Sequence, residues 1–116
     1  MVEDRIKPLK ITIKGETYEL DFSKESVSFA QNNGFVLEDV SKYLTLKVPE
    51  FFYYAFRMHH RRLARNQTDA ILNEIGGLSP KMLERMILLY NQAEMSNNVV
   101  QDDEELAKNA NVVVEM

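Results

Sequence analysis

The chain opens with two alternating stretches. Leu9, Ile11 and Ile13 alternate with Lys10, Thr12 and Lys14, and Tyr18, Leu20 and Phe22 alternate with Thr17, Glu19 and Asp21. A period of two puts each apolar set on one face of a strand. With Gly15-Glu16 at the centre of a two-residue turn, glycine supplies the positive φ such turns need. Ile13 would then face Tyr18, Ile11 would face Leu20, Leu9 would face Phe22, and Lys10 would sit opposite Asp21. A lone hairpin is marginal in water, so its apolar side is expected to lie on helices.

The helical signals follow. Ser23 is a good N-cap, with Phe22 and Val27 as a hydrophobic staple around it. A helix is predicted from about Lys24 to Asn33, with Gly34 as its left-handed stop. Phe35 to Leu46 has mixed character and is read as irregular, with one or two helical turns at most. Asn66 to Thr68 offers a cap for a short helix carrying Ile71, Leu72 and Ile75, ended by Gly76-Gly77. Ser79-Pro80 is a cap followed by proline at the first helical position, and Leu78 and Leu83 form a second staple. That last helix is expected to reach about Met95.

The stretch VPEFFYYAFRMHHRRLAR, Val48 to Arg65, is the most concentrated apolar segment. Read as one helix to about Ala64, with Pro49 in its first turn, it places Val48, Phe52, Ala55, Phe56, His59 and Leu63 on one face. Glu50, Arg57, Arg61 and Arg65 fall on the opposite face. Tyr53 and Tyr54 lie between. So wide an apolar arc predicts a central helix touched by several neighbours. The resulting fold class is α+β: an N-terminal hairpin packed on about four helices, as one domain over residues 1–96. Residues 1–8 are read as a loose arm, and residues 97–116 as a flexible acidic tail, disordered in isolation.

Composition narrows the function classes. A chain of 116 residues with 45% hydrophobic and 28% charged residues has the balance of a soluble globular domain. The absence of cysteine excludes a disulfide framework and thiolate metal sites. MVEDRIKPLK has no apolar h-region, which argues against a signal peptide, and no apolar run approaches the roughly 20 residues of a membrane span. The formal net charge of −4 argues against a general phosphate-backbone binder. The charge is uneven: Arg57, Arg61, Arg62 and Arg65 form a basic knot, and Asp102, Asp103, Glu104 and Glu105 an acidic one.

The candidate chemistry is thin. His59 and His60 point about 100° apart on a helix, so they do not form the i, i+4 pair a metal would use. His59 is expected at the core edge with a hydrogen-bond partner, and His60 in solvent. No nucleophile elbow, phosphate-cradling loop or spaced acid pair is present, so neither an enzyme nor a cofactor is expected. The arginines at i, i+4 and i+8 would make a ridge able to meet carboxylates of a partner. Met82, Met86 and Leu89 on the last helix divide about evenly between core and interface, leaning to an adaptable self-association or partner-helix face.

The order of motifs carries a family resemblance. ITIKGETYELDFS opens into a helix ending NNGFVL, then come FFYYAFRMHHRRLAR, DAILNEIGGL and LERMILLYNQA. From about Leu9 to Ala93 this resembles the tail assembly chaperones encoded among phage and prophage tail genes. The resemblance implies a non-enzymatic, self-assembling protein of the bacterial host cytoplasm that coats the tape measure protein and leaves before maturity. The candidate partner surface is then Tyr53, Tyr54, Arg57, His60, Arg61 and Arg65 on one helix, with Met82, Met86 and Leu89 on the other. Two alternatives stand beside it: a structural tail or connector component retained in the virion, and a small nucleic-acid-binding regulator using the arginines.

Overall fold

A computed structural model of the protein describes residues 5–98. The alternating stretches form a hairpin of β1 (Leu9–Ile13) and β2 (Glu16–Leu20). Five helices follow: α1 (Lys24–Asn32), α2 (Glu38–Lys42), α3 (Leu44–Phe56), α4 (Arg65–Glu74) and α5 (Pro80–Asn98). The architecture is α+β, with the hairpin's apolar side on the helices.

The turn sits one residue earlier than the pattern predicts. Lys14 and Gly15 form the two-residue loop, with φ of 51° and 83°, the paired positive values of a type I′ turn. Leu9 therefore pairs with Leu20, Ile11 with Tyr18, and Lys10 with Glu19 rather than Asp21. Moving the turn by one residue shifts every pairing by two, so the apolar sets stay on one face. Ile11 and Leu20 are buried. Asp21 leaves the ladder: its N–H donates to the Ala55 carbonyl at 3.1 Å, and its buried carboxylate accepts the Phe22 N–H at 2.8 Å.

Helix α1 begins as expected. Ser23 and Ser26 close a reciprocal capping box, each side-chain oxygen accepting the other's backbone N–H at 3.1 and 2.8 Å. Gly34, at φ 87°, turns the chain so that the Phe35 N–H reaches the Ala30 carbonyl at 3.0 Å. This delivers Phe35 to the centre of the molecule. Phe51 lies stacked between Phe22 and Phe35, with both centroids 5.4 Å away, and Tyr90 meets all three rings edge-on or tilted. Each such pair adds about 0.5–1.5 kcal/mol beyond the area it buries.

Helix α3 departs from the reading at both ends. It starts at Leu44, so Pro49 stands in its second turn rather than its first. There proline removes the N–H that would have met the carbonyl four residues back. The Tyr43 carbonyl instead holds the opening turn, accepting from Leu46 and Lys47 at 3.1 and 2.8 Å. A Lys47–Glu50 ion pair at 3.1 Å spans the proline. The helix then stops at Phe56, eight residues before Ala64. No glycine or proline occupies 57–64, so tertiary contacts rather than a local signal end it.

Helix α4 starts at Arg65 rather than after an Asn66–Thr68 cap. Ala64 takes the extended N-cap conformation, and its N–H donates to Gln67 Oε1 at 2.8 Å. Thr68 is wholly buried and donates to the Arg65 carbonyl at 3.0 Å. Ser79 caps α5 by accepting the Met82 N–H at 3.2 Å. The arm before β1 is docked, at least in its described part: the Ile6 N–H donates to Gln92 Oε1 at 2.8 Å, and Arg85 donates to the Lys7 carbonyl at 3.1 Å. Helix α5 runs to Asn98 and so includes the first two residues of the expected tail. Residues 99–116 lie outside the described residues.

Candidate functional site

Because α3 stops at Phe56, the basic knot is a turn segment and not a helical ridge. Residues 57–64 are pinned from both sides. The Arg57 guanidinium lies over the Phe29 ring, 3.6 Å from its centroid, a cation–π contact that ties the turn to α1. His60 Nε2 accepts the Glu19 N–H at 2.9 Å, and its ring packs against Tyr18 and Phe56 at 5.4 and 5.8 Å. The acceptor role puts the ring proton on Nδ1. The histidine expectation is thus reversed. His60 is the half-buried, hydrogen-bonded one, while His59 is exposed with Nε2 3.5 Å from a Glu19 carboxylate oxygen.

The nine candidate partner residues are dispersed by this geometry. Arg57 and Arg61 line a cleft of about 540 Å³ with Ser23, Ser26, Phe29 and Met58. Arg61 also borders a second cleft of about 660 Å³ with Tyr18, His60 and Arg62. Arg65 is on α4, paired with Asp69 at 2.9 Å, one turn along. Tyr54 is buried, edge-on to Phe29 and Phe35. Burial pushes its phenol above the ordinary value, with smaller contributions from Glu50 and Tyr53. Tyr53 is half-buried beside it. Met86 and Leu89 are wholly buried in the core and Met82 is partly so. The broad stripe of α5 is therefore filled by this chain's own aromatic centre, because the hairpin, α1 and α3 together cover it.

The sequence reading missed the exposed apolar corner where α2 meets α3. Tyr43, Leu44 and Leu46 are 54%, 53% and 70% exposed. Tyr43 is the N-cap residue of α3, and Leu44 and Leu46 lie in its first turn, ahead of Pro49. The available signal was a run of large apolar residues just before a proline within a helix. Reading Phe35 to Leu46 as irregular, with the helix beginning only near Pro49, concealed it.

Among the described residues no three His, Asp or Glu side chains converge to hold a metal ion, and no helix is long and apolar enough to cross a membrane. The second shifted phenol, Tyr90, is also raised by burial. The hydrogen bond from Gln31 offsets part of that rise, and Glu94 and Glu38 add to it. Both phenols belong to the core.

These residues define a small α+β module with a pinned basic turn between two clefts and an apolar corner on its third helix. A family model described as Domain of unknown function (DUF5055) matches residues 3–116, and the chain belongs to that family. No curated protein and no solved structure matches the chain.

Proposed function

We propose that this protein is a phage tail assembly chaperone, acting in the bacterial host cytoplasm by protein–protein contact and without catalysis. Its client is the tape measure protein, a long helical polypeptide whose apolar stripe needs cover until the tail forms. The motif order from Leu9 to Ala93 supplies the family reading. The observation that carries the mechanism is the exposed Tyr43–Leu44–Leu46 corner. A client helix would lay its apolar face against these side chains, as amphipathic helices do in grooves and on helix ends. The α5 stripe gives no such support, since Met86 and Leu89 are already covered.

The nucleic-acid alternative is weakened by the same geometry. Arg65 is paired with Asp69, which leaves Arg57, Arg61 and Arg62 on a chain of net charge −4.

The test is co-purification of the tape measure protein with the wild type and with a Leu44→Ser/Leu46→Ser variant. The exposed substitutions should shift stability by no more than about 0.5 kcal/mol and weaken client capture by about tenfold or more. Unchanged capture removes the corner from the mechanism. Mass spectrometry of finished virions separates a chaperone, which is absent, from a connector component, which is retained.

A further inference from the structure

One stripe of α3 joins the apolar corner to the basic cleft. Leu46, Glu50, Tyr53 and Arg57 follow one another at steps of four, three and four residues. At 100° per residue, Leu46 and Arg57 differ by only about 20° around the helix axis, and they stand about 16.5 Å apart along it. Such steps make the seam that two helices share when they lie nearly parallel. Leu46 is 70% exposed at one end. Arg57, the C-cap residue in helical conformation, is half-buried at the other. Between them Glu50 is already neutralised by Lys47 at 3.1 Å, and Tyr53 is half-buried.

The Arg57 end of the stripe lacks a counter-charge. Among the described residues no carboxylate lies within ion-pair distance of Arg57 or Arg61. Both line the cleft of about 540 Å³ beside α1, and Glu25 shares its wall without pairing to either. Two guanidiniums against one carboxylate leave one positive charge, which a single carboxylate from outside would balance. Stacking on Phe29 fixes the plane of the Arg57 guanidinium. A fixed planar fork can meet a carboxylate with two parallel hydrogen bonds. We propose that α3 acts as a ruler for its partner. The stripe takes an amphipathic helix that sets an apolar side chain against Leu46 and, eleven residues away, an aspartate or glutamate against Arg57. The identity of that helix as the client rests on the reading above, whereas the spacing and the charge come from α3 and its cleft.

The test is fluorescence anisotropy of labelled helical peptides of about 20 residues, titrated with the full chain. Each has leucines on one face and one glutamate. In two of them the glutamate stands eleven residues after or eleven residues before the anchoring leucine, one for each direction of the helix. A third has glutamine in place of the glutamate. A fourth has its glutamate nine residues from the leucine, on the opposite face. One of the first two should bind about tenfold or more tighter than the glutamine peptide, and the fourth should match the glutamine peptide. Arg57→Gln/Arg61→Gln should remove that advantage, and Arg57→Lys should reduce it, because lysine keeps the charge and loses the fork. Because Arg57 also holds Phe29, Arg61→Gln alone repeats the comparison without disturbing that contact. Leu46→Ser should weaken every peptide. Equal binding of glutamate and glutamine peptides, with no binding of either counted as equal, would overturn the ruler. So would an advantage that survives both arginine substitutions, or one that the fourth peptide shares. Capture of the tape measure protein without a glutamate advantage would remove the ruler and leave the client reading standing. A glutamate advantage without client capture would do the reverse.

Discussion

His60 reaches across 41 residues of sequence to accept the Glu19 backbone N–H through Nε2 at 2.9 Å. This bond ties the turn after α3 to the penultimate residue of β2, which among the described residues has no further strand beside it. Replacing His60 with alanine leaves that N–H without its acceptor and removes a ring from the Tyr18–Phe56 stack. The expected loss is about 2–3 kcal/mol, read as a lower urea midpoint. His59→Ala, at the exposed neighbour, should change stability by no more than about 0.5 kcal/mol. Equal effects at the two positions would contradict the assignment.

The Lys14–Gly15 turn suggests a stabilising change. Lys14 adopts φ of 51°, which asparagine tolerates better at this position of a type I′ turn. Lys14→Asn should raise stability by about 0.5 kcal/mol. The ion pair it removes, with Glu74 at 3.5 Å, is largely exposed and adds little. A thermal melt resolves the sign. A lower melting temperature would show that the lysine contributes more than the turn conformation costs.

Helix α5 separates core from surface within one turn. Met86→Ala should cost about 2–5 kcal/mol, since its side chain is wholly buried. Leu88→Ala, on the exposed side, should cost less than about 1 kcal/mol. Chemical denaturation of the two variants measures this directly. If the pair behaves alike, α5 does not pack with the face seen here.

Alkaline pH should weaken the fold through two phenols. Tyr54 and Tyr90 are both raised above the ordinary tyrosine value of about 10 by burial. Between that value and the raised ones, the folded chain keeps protons that the unfolded chain sheds. Stability from these groups is therefore complete below about pH 10 and is lost as pH climbs through the folded values. The urea midpoint should fall as pH rises above about 10. A Tyr54→Phe/Tyr90→Phe chain should fall less steeply over the same range. Tyrosinate absorbance should show Tyr54 and Tyr90 ionising above the ordinary tyrosine value.

The candidate surface was only partly legible from the residues. Arg57, His60 and Arg61 do border clefts, yet the ridge drawn through Arg57, Arg61 and Arg65 required a helix that does not form. Periodicity alone extends α3 to Ala64, because every residue from Arg57 to Ala64 accepts helical geometry. Two contacts from distant elements, Phe29 under Arg57 and Glu19 against His60, outweigh that local preference. The same kind of misreading affected Met86 and Leu89. A stripe at helical spacing shows that a face is apolar, and cannot show whether the cover is the same chain or another.

Local signals by themselves determined the hairpin, the Ser23 and Ser79 caps, the Gly34 turn and the apolar face of each strand. Each depends on neighbours a few residues away, where backbone sterics and hydrogen-bonding range are enough to decide the outcome. Tertiary structure alone decided where α3 ends, which histidine is held, and that the α5 stripe is core. It also decided that Leu44 and Leu46, not the methionines, face outward. The end of α3 and the held histidine rest on Phe29 and Glu19 reaching the 57–64 turn from distant elements. The cover of the α5 stripe rests on Phe22, Phe35 and Phe51 arriving around Tyr90 from separate parts of the chain.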